Sequence, residues 1–264
     1  MKIFSKKYDY ISILTGGKCG FNCSFCIGNK LNKDKEPHFS NQYTNFVENY
    51  ANRTNIISIS GSSSDPYFIS IQKHIDIINK CKDVNPKIVT NIHTRYIKDA
   101  IKLNQLMGLY DGIVFSVDED FLNRSDILDF KKYSHKKMRF SIVLTNKNRH
   151  IFTRDWLDEV YNTTGISSFT FRPDVFENDF DIEDFKINME LFEVVDKKYG
   201  VWFPYKSGYV TYWDNKKINQ NVLYLWSTNE VTDDCEWKKS YLNSFGRIRL
   251  FLEQKIKNIR RLYK

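Results

Sequence analysis

The sequence predicts an α/β fold: a partial (β/α)6 TIM-like barrel with a C-terminal β-hairpin and helix extension. Three observations predict it. Short apolar runs rich in Ile, Val, Phe and Ser recur every roughly 25–45 residues, the spacing of βα units with parallel strands. Several of these runs are continuously apolar, as strands covered on both faces are. Amphipathic stretches of helical period lie between them. The 264 residues suit one such unit, since α/β barrels reach about 200–250 residues as single domains. Hydrophobic residues at 41% and charged residues at 27% allow a sizeable core.

In chain order, the strand candidates are Tyr10–Leu14, Ile56–Ser60, Lys87–Ile92, Gly112–Val117, Arg139–Leu144 and Ser168–Arg172. The first helix candidate runs through Ile71–Lys80, with Pro66 at its first position and Asp65 as N-cap. Ile97–Met107, Asp120–Tyr133, Arg154–Tyr161 and Ile182–Lys198 follow as helices. Residues 1–200 form the core in this reading, and residues 201–264 the extension. In the extension, Val201–Trp213 and Lys217–Leu225 read as two strands joined around the turn-prone pair Asp214-Asn215. Trp237–Leu262 has a helical pattern with many basic residues. Chemistry in a barrel sits at the C-terminal ends of the strands, and a doubly wound open sheet, the second choice, places it there too.

Net charge is +8 and the sequence pI about 9.0. This balance favours an anionic partner and permits nucleic acid, although Lys is spread along the chain as on an ordinary soluble surface. The apolar runs are far shorter than the ~20 residues of a membrane span, and Met1–Lys7 lacks the apolar stretch of a signal peptide. The expectation is a cytoplasmic protein with no membrane partner. In a reducing compartment its five cysteines are metal ligands or buried thiols rather than disulfides.

Three of those five fall in Gly17-Lys18-Cys19-Gly20-Phe21-Asn22-Cys23-Ser24-Phe25-Cys26, directly after the first strand. Thiolates hold iron–sulfur clusters, and a tight loop can present several to one cluster. Gly20 lets the loop wind closely. A structural zinc site would need a fourth ligand, such as His38, Cys81 or Cys235, and no second Cys or His pair follows. Cys81 lies in the apolar pattern of its helix and reads as an inert buried thiol. Cys235 sits in an acidic, turn-like stretch.

At these residues the chain resembles the radical S-adenosylmethionine (SAM) superfamily. Cys19-x3-Cys23-x2-Cys26 matches the family's defining motif, and Phe25 is its usual aromatic before the last cysteine. More loosely, the resemblance covers residues 8–175, while residues 200–264 match no particular subfamily. It implies that Cys19, Cys23 and Cys26 hold one [4Fe-4S] cluster whose fourth iron binds the methionine moiety of SAM. One electron through the reduced cluster would then cleave SAM to a 5′-deoxyadenosyl radical that takes hydrogen from the substrate. It also implies a reductant protein of flavodoxin or ferredoxin type.

The same resemblance points to cofactor contacts at the strand ends. Phe25 lies in the loop itself. Gly61, Ser62 and Ser63 stand where the family often has a Gly-Gly-Glu-Pro-like stretch, from which this sequence departs. Ser116 and Asp118 close strand four, Thr145 follows strand five, and Arg172 ends strand six. Arg172 suits a carboxylate or phosphate, with an ion pair to Asp174 as the ordinary alternative. His93 and Arg172 are the candidate catalytic residues, His93 because its ordinary pKa is near neutrality.

The substrate expected from this reading is unidentified and anionic: a nucleotide, RNA or a phosphorylated metabolite. Two rivals are an activase that takes hydrogen from a partner enzyme, and a non-catalytic zinc module that binds nucleic acid. The aromatic set Trp202, Phe203, Tyr205, Tyr209, Tyr212 and Trp213 and the basic terminal segment are read chiefly as packing and solvated surface.

Overall fold

The computed structural model describes residues 6–16, 19, 21, 23, 25–26, 42–61, 64–95, 99–123, 129–133, 137–174, 177, 182–190, 195–197, 200–213, 221–226 and 231–233. Six strands lead the chain: β1 (Tyr10–Thr15), β2 (Ile56–Gly61), β3 (Val89–Thr94), β4 (Gly112–Val117), β5 (Met138–Leu144) and β6 (Phe169–Pro173). They are neighbours in that order, and every pair is parallel. A doubly wound sheet would reverse its strand order partway; β1 to β6 do not.

The sheet is curved. Flat, it would hold β1 and β6 about 24 Å apart, at ~4.8 Å per strand. Yet Arg172 on β6 interacts electrostatically with Tyr10 on β1, so the strands curl around a common interior as a partial barrel. The outer face packs on helices α1 (Gln42–Tyr50), α2 (Ile71–Val84), α3 (Ala100–Leu109), α4 (Arg154–Thr164) and α5 (Ile182–Asn188). Around β4, β5 and β6 that layer is rich in phenylalanine. Phe140 packs tilted against Phe121 with ring centroids 5.0 Å apart, Phe171 likewise against Phe185 at 5.0 Å, and Phe152 edge-on to Trp156 at 4.8 Å. Burying each such ring contributes about 1.5–3 kcal/mol.

Five strands complete the sheet: β7 (Val195–Lys197), β8 (Gly200–Tyr205), β9 (Gly208–Tyr212), β10 (Val222–Leu225) and β11 (Val231–Asp233). β9 adds parallel to β6, and β8 and β7 follow antiparallel. β10 lies on the other side, parallel to β1, with β11 antiparallel beyond it. One sheet thus continues across residue 200.

Several boundaries differ from the sequence reading, each for a local reason. The β8–β9 hairpin turns at Lys206-Ser207, while Asp214-Asn215 lies outside the described residues. Lys206 takes the left-handed conformation (φ 51), and Gly208 passes so close to β6 that a Cβ there would lie 2.5 Å from the Ser167 carbonyl oxygen. Its intended partner, Val222–Leu225, crosses instead to β1. The helix expected to reach Lys198 stops at Asn188, because Glu190 turns left-handed (φ 51). Asp65 caps a separate 3₁₀ turn at Pro66–Phe68, and Ser70 caps α2. Where a helix was expected over 120–133, the described residues form 3₁₀ turns at Glu119–Asn123 and Phe130–Lys132. β3 begins two residues later than expected, since Ile88 N still donates to Asn85 O. Helix α1 was not expected; the buried Tyr43, Phe46 and Val47 carry its period. The 237–262 segment and Cys235 lie outside the described residues. No helix among the described residues is long and apolar enough to cross a membrane.

One buried polar triad ties α2 to the strand ends. His74 Nε2 donates to Pro66 O at 3.1 Å, so Nδ1 accepts from the Tyr110 hydroxyl at 2.6 Å. Burial pushes the His74 pKa down to about 4, leaving the ring neutral in the fold. The unfolded chain, with His near 6.5, binds the extra proton between pH 6.5 and 4, so stability is present above that window and lost as pH falls through it. The loss from this residue is about 3 kcal/mol. Urea unfolding of His74→Gln should therefore show a smaller drop between pH 7.5 and pH 4.5 than the parent chain; an equal drop would mean that His74 titrates normally.

Candidate active site

The three cysteines of the loop after β1 are half-buried and not in disulfides. Cys26 N donates to Cys23 O at 3.1 Å, closing a turn between the last two cysteines. Burial raises the pKa of Cys19 and of Cys23; a backbone hydrogen bond at Phe21 opposes this at Cys19, and the Arg95 guanidinium opposes it at Cys23.

Arg95, one residue beyond β3, organises the loop. Its Nη1 donates to Cys23 Sγ at 2.8 Å, its Nη2 pairs with Asp118 at the end of β4, and its guanidinium lies 4.6 Å from the Phe21 ring centroid. Asp65 positions it in turn. Asp65 Oδ2 accepts from Arg95 N at 2.5 Å, and Oδ1 accepts from the Thr94 hydroxyl at 2.6 Å and from Tyr67 N at 2.9 Å. The loops after β1, β2, β3 and β4 therefore converge on two charged side chains.

The turn after β2 is equally tight. A Cβ at Gly61 would lie 1.7 Å from Ser64 O, so only glycine fits. Ser64 Oγ donates to Thr15 Oγ1 at 3.1 Å, and Thr15 Oγ1 donates to Ser60 O at 3.2 Å. Ser62 and Ser63 lie outside the described residues.

Other expected residues are distributed unevenly. Phe25 stands in the loop turn between Cys23 and Cys26. Ser116 lies on the inner face of β4, in register with Ser141. Asp118 is engaged by Arg95. Thr145 is buried and closes the turn after β5: its Oγ1 accepts from Asn148 N at 3.2 Å and its N donates to Asn148 Oδ1 at 2.7 Å. His93 and Arg172, from strands three apart, share the barrel interior, where burial and then the Arg172 charge hold the His93 pKa well below its ordinary value. Arg172 Nη2 donates to Ser141 Oγ at 2.6 Å. No ion pair between Arg172 and Asp174 occurs among the described residues.

Two residues of this site were not singled out by sequence reasoning. Arg139 shares the interior with His93 and Arg172. Its signal was the alternation Arg139, Ser141, Val143 against Phe140, Ile142, Leu144. Arg95 bonds Cys23 across 72 residues of sequence, and no local pattern announces that.

Among the described residues no three His, Cys, Asp or Glu side chains gather closely enough for a single metal ion. A zinc tetrahedron needs ligands all ~2.3 Å from one ion, whereas a four-iron cluster takes each thiolate on a different iron and spreads them further.

Asp65→Ala would strip the acceptor from three donors at once. It should lower stability by roughly 2–4 kcal/mol in urea unfolding; a loss under about 0.5 kcal/mol would show that these bonds are not formed in solution.

No protein-family model matches the chain, and no curated protein matches its sequence. Among solved structures it is similar to Streptococcus suis SuiB bound to S-adenosylmethionine, with TM-score 0.54 and 12% identity over 86% of this chain and 60% of that one. SuiB bound to its precursor peptide SuiA aligns at TM-score 0.54 and 13% identity, over 86% and 59%. The chain thus spans about 60% of the length of the structures it matches. At this identity the likeness is one of fold alone.

Proposed function

We propose that the chain is a radical SAM enzyme acting on an anionic substrate. One observation carries the reading: the three-cysteine loop sits at the C-terminal end of β1, on the radical SAM fold, with a guanidinium donating to Cys23 Sγ. Cys19, Cys23 and Cys26 would hold a [4Fe-4S] cluster, and the Gly61–Ser64 turn beside them would take the methionine end of SAM. The SAM bound in SuiB supports the same cofactor here. When bound, the two groups supply a carbon-centred radical that removes a hydrogen atom from a substrate, with electrons from a flavodoxin- or ferredoxin-like protein.

The chain's own residues supply positioning and electrostatics. Phe21 and Arg95 hold the loop against the end of β3, and the Asp65 carboxylate fixes the backbone from which Arg95 projects. An N–H donor and a positive charge at a ligand sulfur favour the reduced, more negative cluster. Around the interior, the phenylalanine layer excludes water from the outer side of β4, β5 and β6. His93, held neutral, can accept a hydrogen bond there or pass on a proton.

Anaerobically reconstituted protein with SAM and dithionite should yield 5′-deoxyadenosine, read by mass-detected chromatography. Cys23→Ala should abolish both the cluster's visible absorbance and that product; persistence of the product would remove the assignment of the loop. Arg95→Ala should bind the cluster but lower its midpoint potential by roughly 50 mV, about 1 kcal/mol for one electron. A redox titration followed by electron paramagnetic resonance reads this, and an unchanged potential would mean that Arg95 only braces the loop.

A further inference from the structure

We propose that Arg139 and Arg172 form an oxyanion subsite inside the barrel, and that the substrate is a small molecule whose phosphate monoester docks there. The proposal rests on the radical SAM reading, which makes the barrel interior the substrate chamber, and it adds the chemical class.

Both arginines point inward. On β5, Arg139 and Ser141 alternate with the buried Phe140 and Ile142; on β6, Thr170 and Arg172 alternate with the buried Phe169 and Phe171. The phenylalanines face the helices, so the arginines face the interior. His93, Val114 and Arg139 stand in one row across β3, β4 and β5. Arg172 reaches the same space from the next strand and bonds Ser141 Oγ at 2.6 Å. The Tyr10 and Tyr224 hydroxyls, from β1 and β10, lie near enough to act on its charge.

Among the described residues this arrangement has no acidic counter-ion. Each guanidinium is within range of the other's charge, and burial together with that repulsion lowers the Arg139 pKa. No Asp or Glu pairs with either among the described residues. Arg172 Nε is buried without a hydrogen-bond partner, as is Ser58 Oγ on β2. Two buried cations without an acid are costly unless an anion joins them. Arg139, Arg172 and His93 nevertheless keep some accessible surface, so open space meets them from within. Two guanidinium forks match a doubly charged group with several free oxygens, and neutral His93, Ser141 and the two phenols supply further hydrogen bonds. The row formed by His93, Val114 and Arg139 lies inside the strands, below the loops at their C-terminal ends. A small molecule's phosphate can reach it, whereas a folded protein surface or a nucleic-acid duplex cannot.

Binding can be measured without the cluster. Titration calorimetry of the full chain with inorganic phosphate, in chloride buffer of matched ionic strength, should show saturable binding. Arg139→Gln and Arg172→Gln should each weaken it by about tenfold, while Lys206→Gln, on the distant hairpin turn, should not. Acetate should bind at least about tenfold more weakly than phosphate, as one charge meets two forks. If a glutamine variant lacks the parent's near-ultraviolet circular dichroism, Arg172→Lys, which keeps the charge but loses the fork, replaces it and should bind severalfold more weakly. Absence of saturable binding, equal binding by the folded variants, or acetate as tight as phosphate would each overturn the proposal. Formation of 5′-deoxyadenosine tests the underlying reading separately: phosphate binding without that product leaves the subsite and removes the enzyme class.

Discussion

Asp65 is almost fully buried, and each of its oxygens is committed: one to Arg95 N, the other to the Thr94 hydroxyl and Tyr67 N. A buried carboxylate is tolerated only when donors surround it, and here those donors are the ends of other elements. The 3₁₀ turn after β2, the tip of β3 and, through Arg95, the cysteine loop after β1 and Asp118 after β4 all take their positions from it. His74 extends the chain of contacts back to α2 through Pro66 O. The site is therefore held by a short polar relay rather than by packing alone, which is what fixing several loop ends to a common geometry requires.

The barrel wall separates two chemistries strand by strand. Outward residues of β4, β5 and β6 are aromatic or aliphatic and lock into the helices; inward residues include Ser116, Arg139, Ser141, Thr170 and Arg172 beside Val114 and Val143. Pleating alone creates this division, because successive side chains point to opposite faces. A parallel strand covered on both faces is ordinarily apolar throughout, so the polar inner row is a departure from what stability favours and marks the interior as a place where polar groups meet something other than hydrocarbon.

Much of this was legible in the residues. The six leading strands were recoverable because their apolar runs are dense and evenly spaced, and the cysteine loop because three thiols within eight residues after a strand have few other uses. What escaped was governed by distant partners. Val222–Leu225 reads locally as the second arm of a hairpin, but β1 offers it a parallel edge. Glu190 and Lys206 end their elements through left-handed conformations that non-glycine residues rarely announce. The helix expected over 120–133 failed because Phe121 and Phe130 anchor short turns into the core rather than a continuous helical stripe. Arg139 had the pattern of an inner-face residue, while its significance came only from Arg172 and His93 arriving beside it.

The pairing of β10 with β1 sets the timing of folding. Asp9 and Asn221 exchange hydrogen bonds across 212 residues, at 2.8 and 3.0 Å. On a ribosome making about 5–20 residues per second, β1 waits some tens of seconds for that neighbour. During the wait one side of the strand that carries the cysteine loop is an open template for other chains. Chaperone cover would matter most in that interval, and a nascent chain stalled before residue 222 would present its first strand with a free edge.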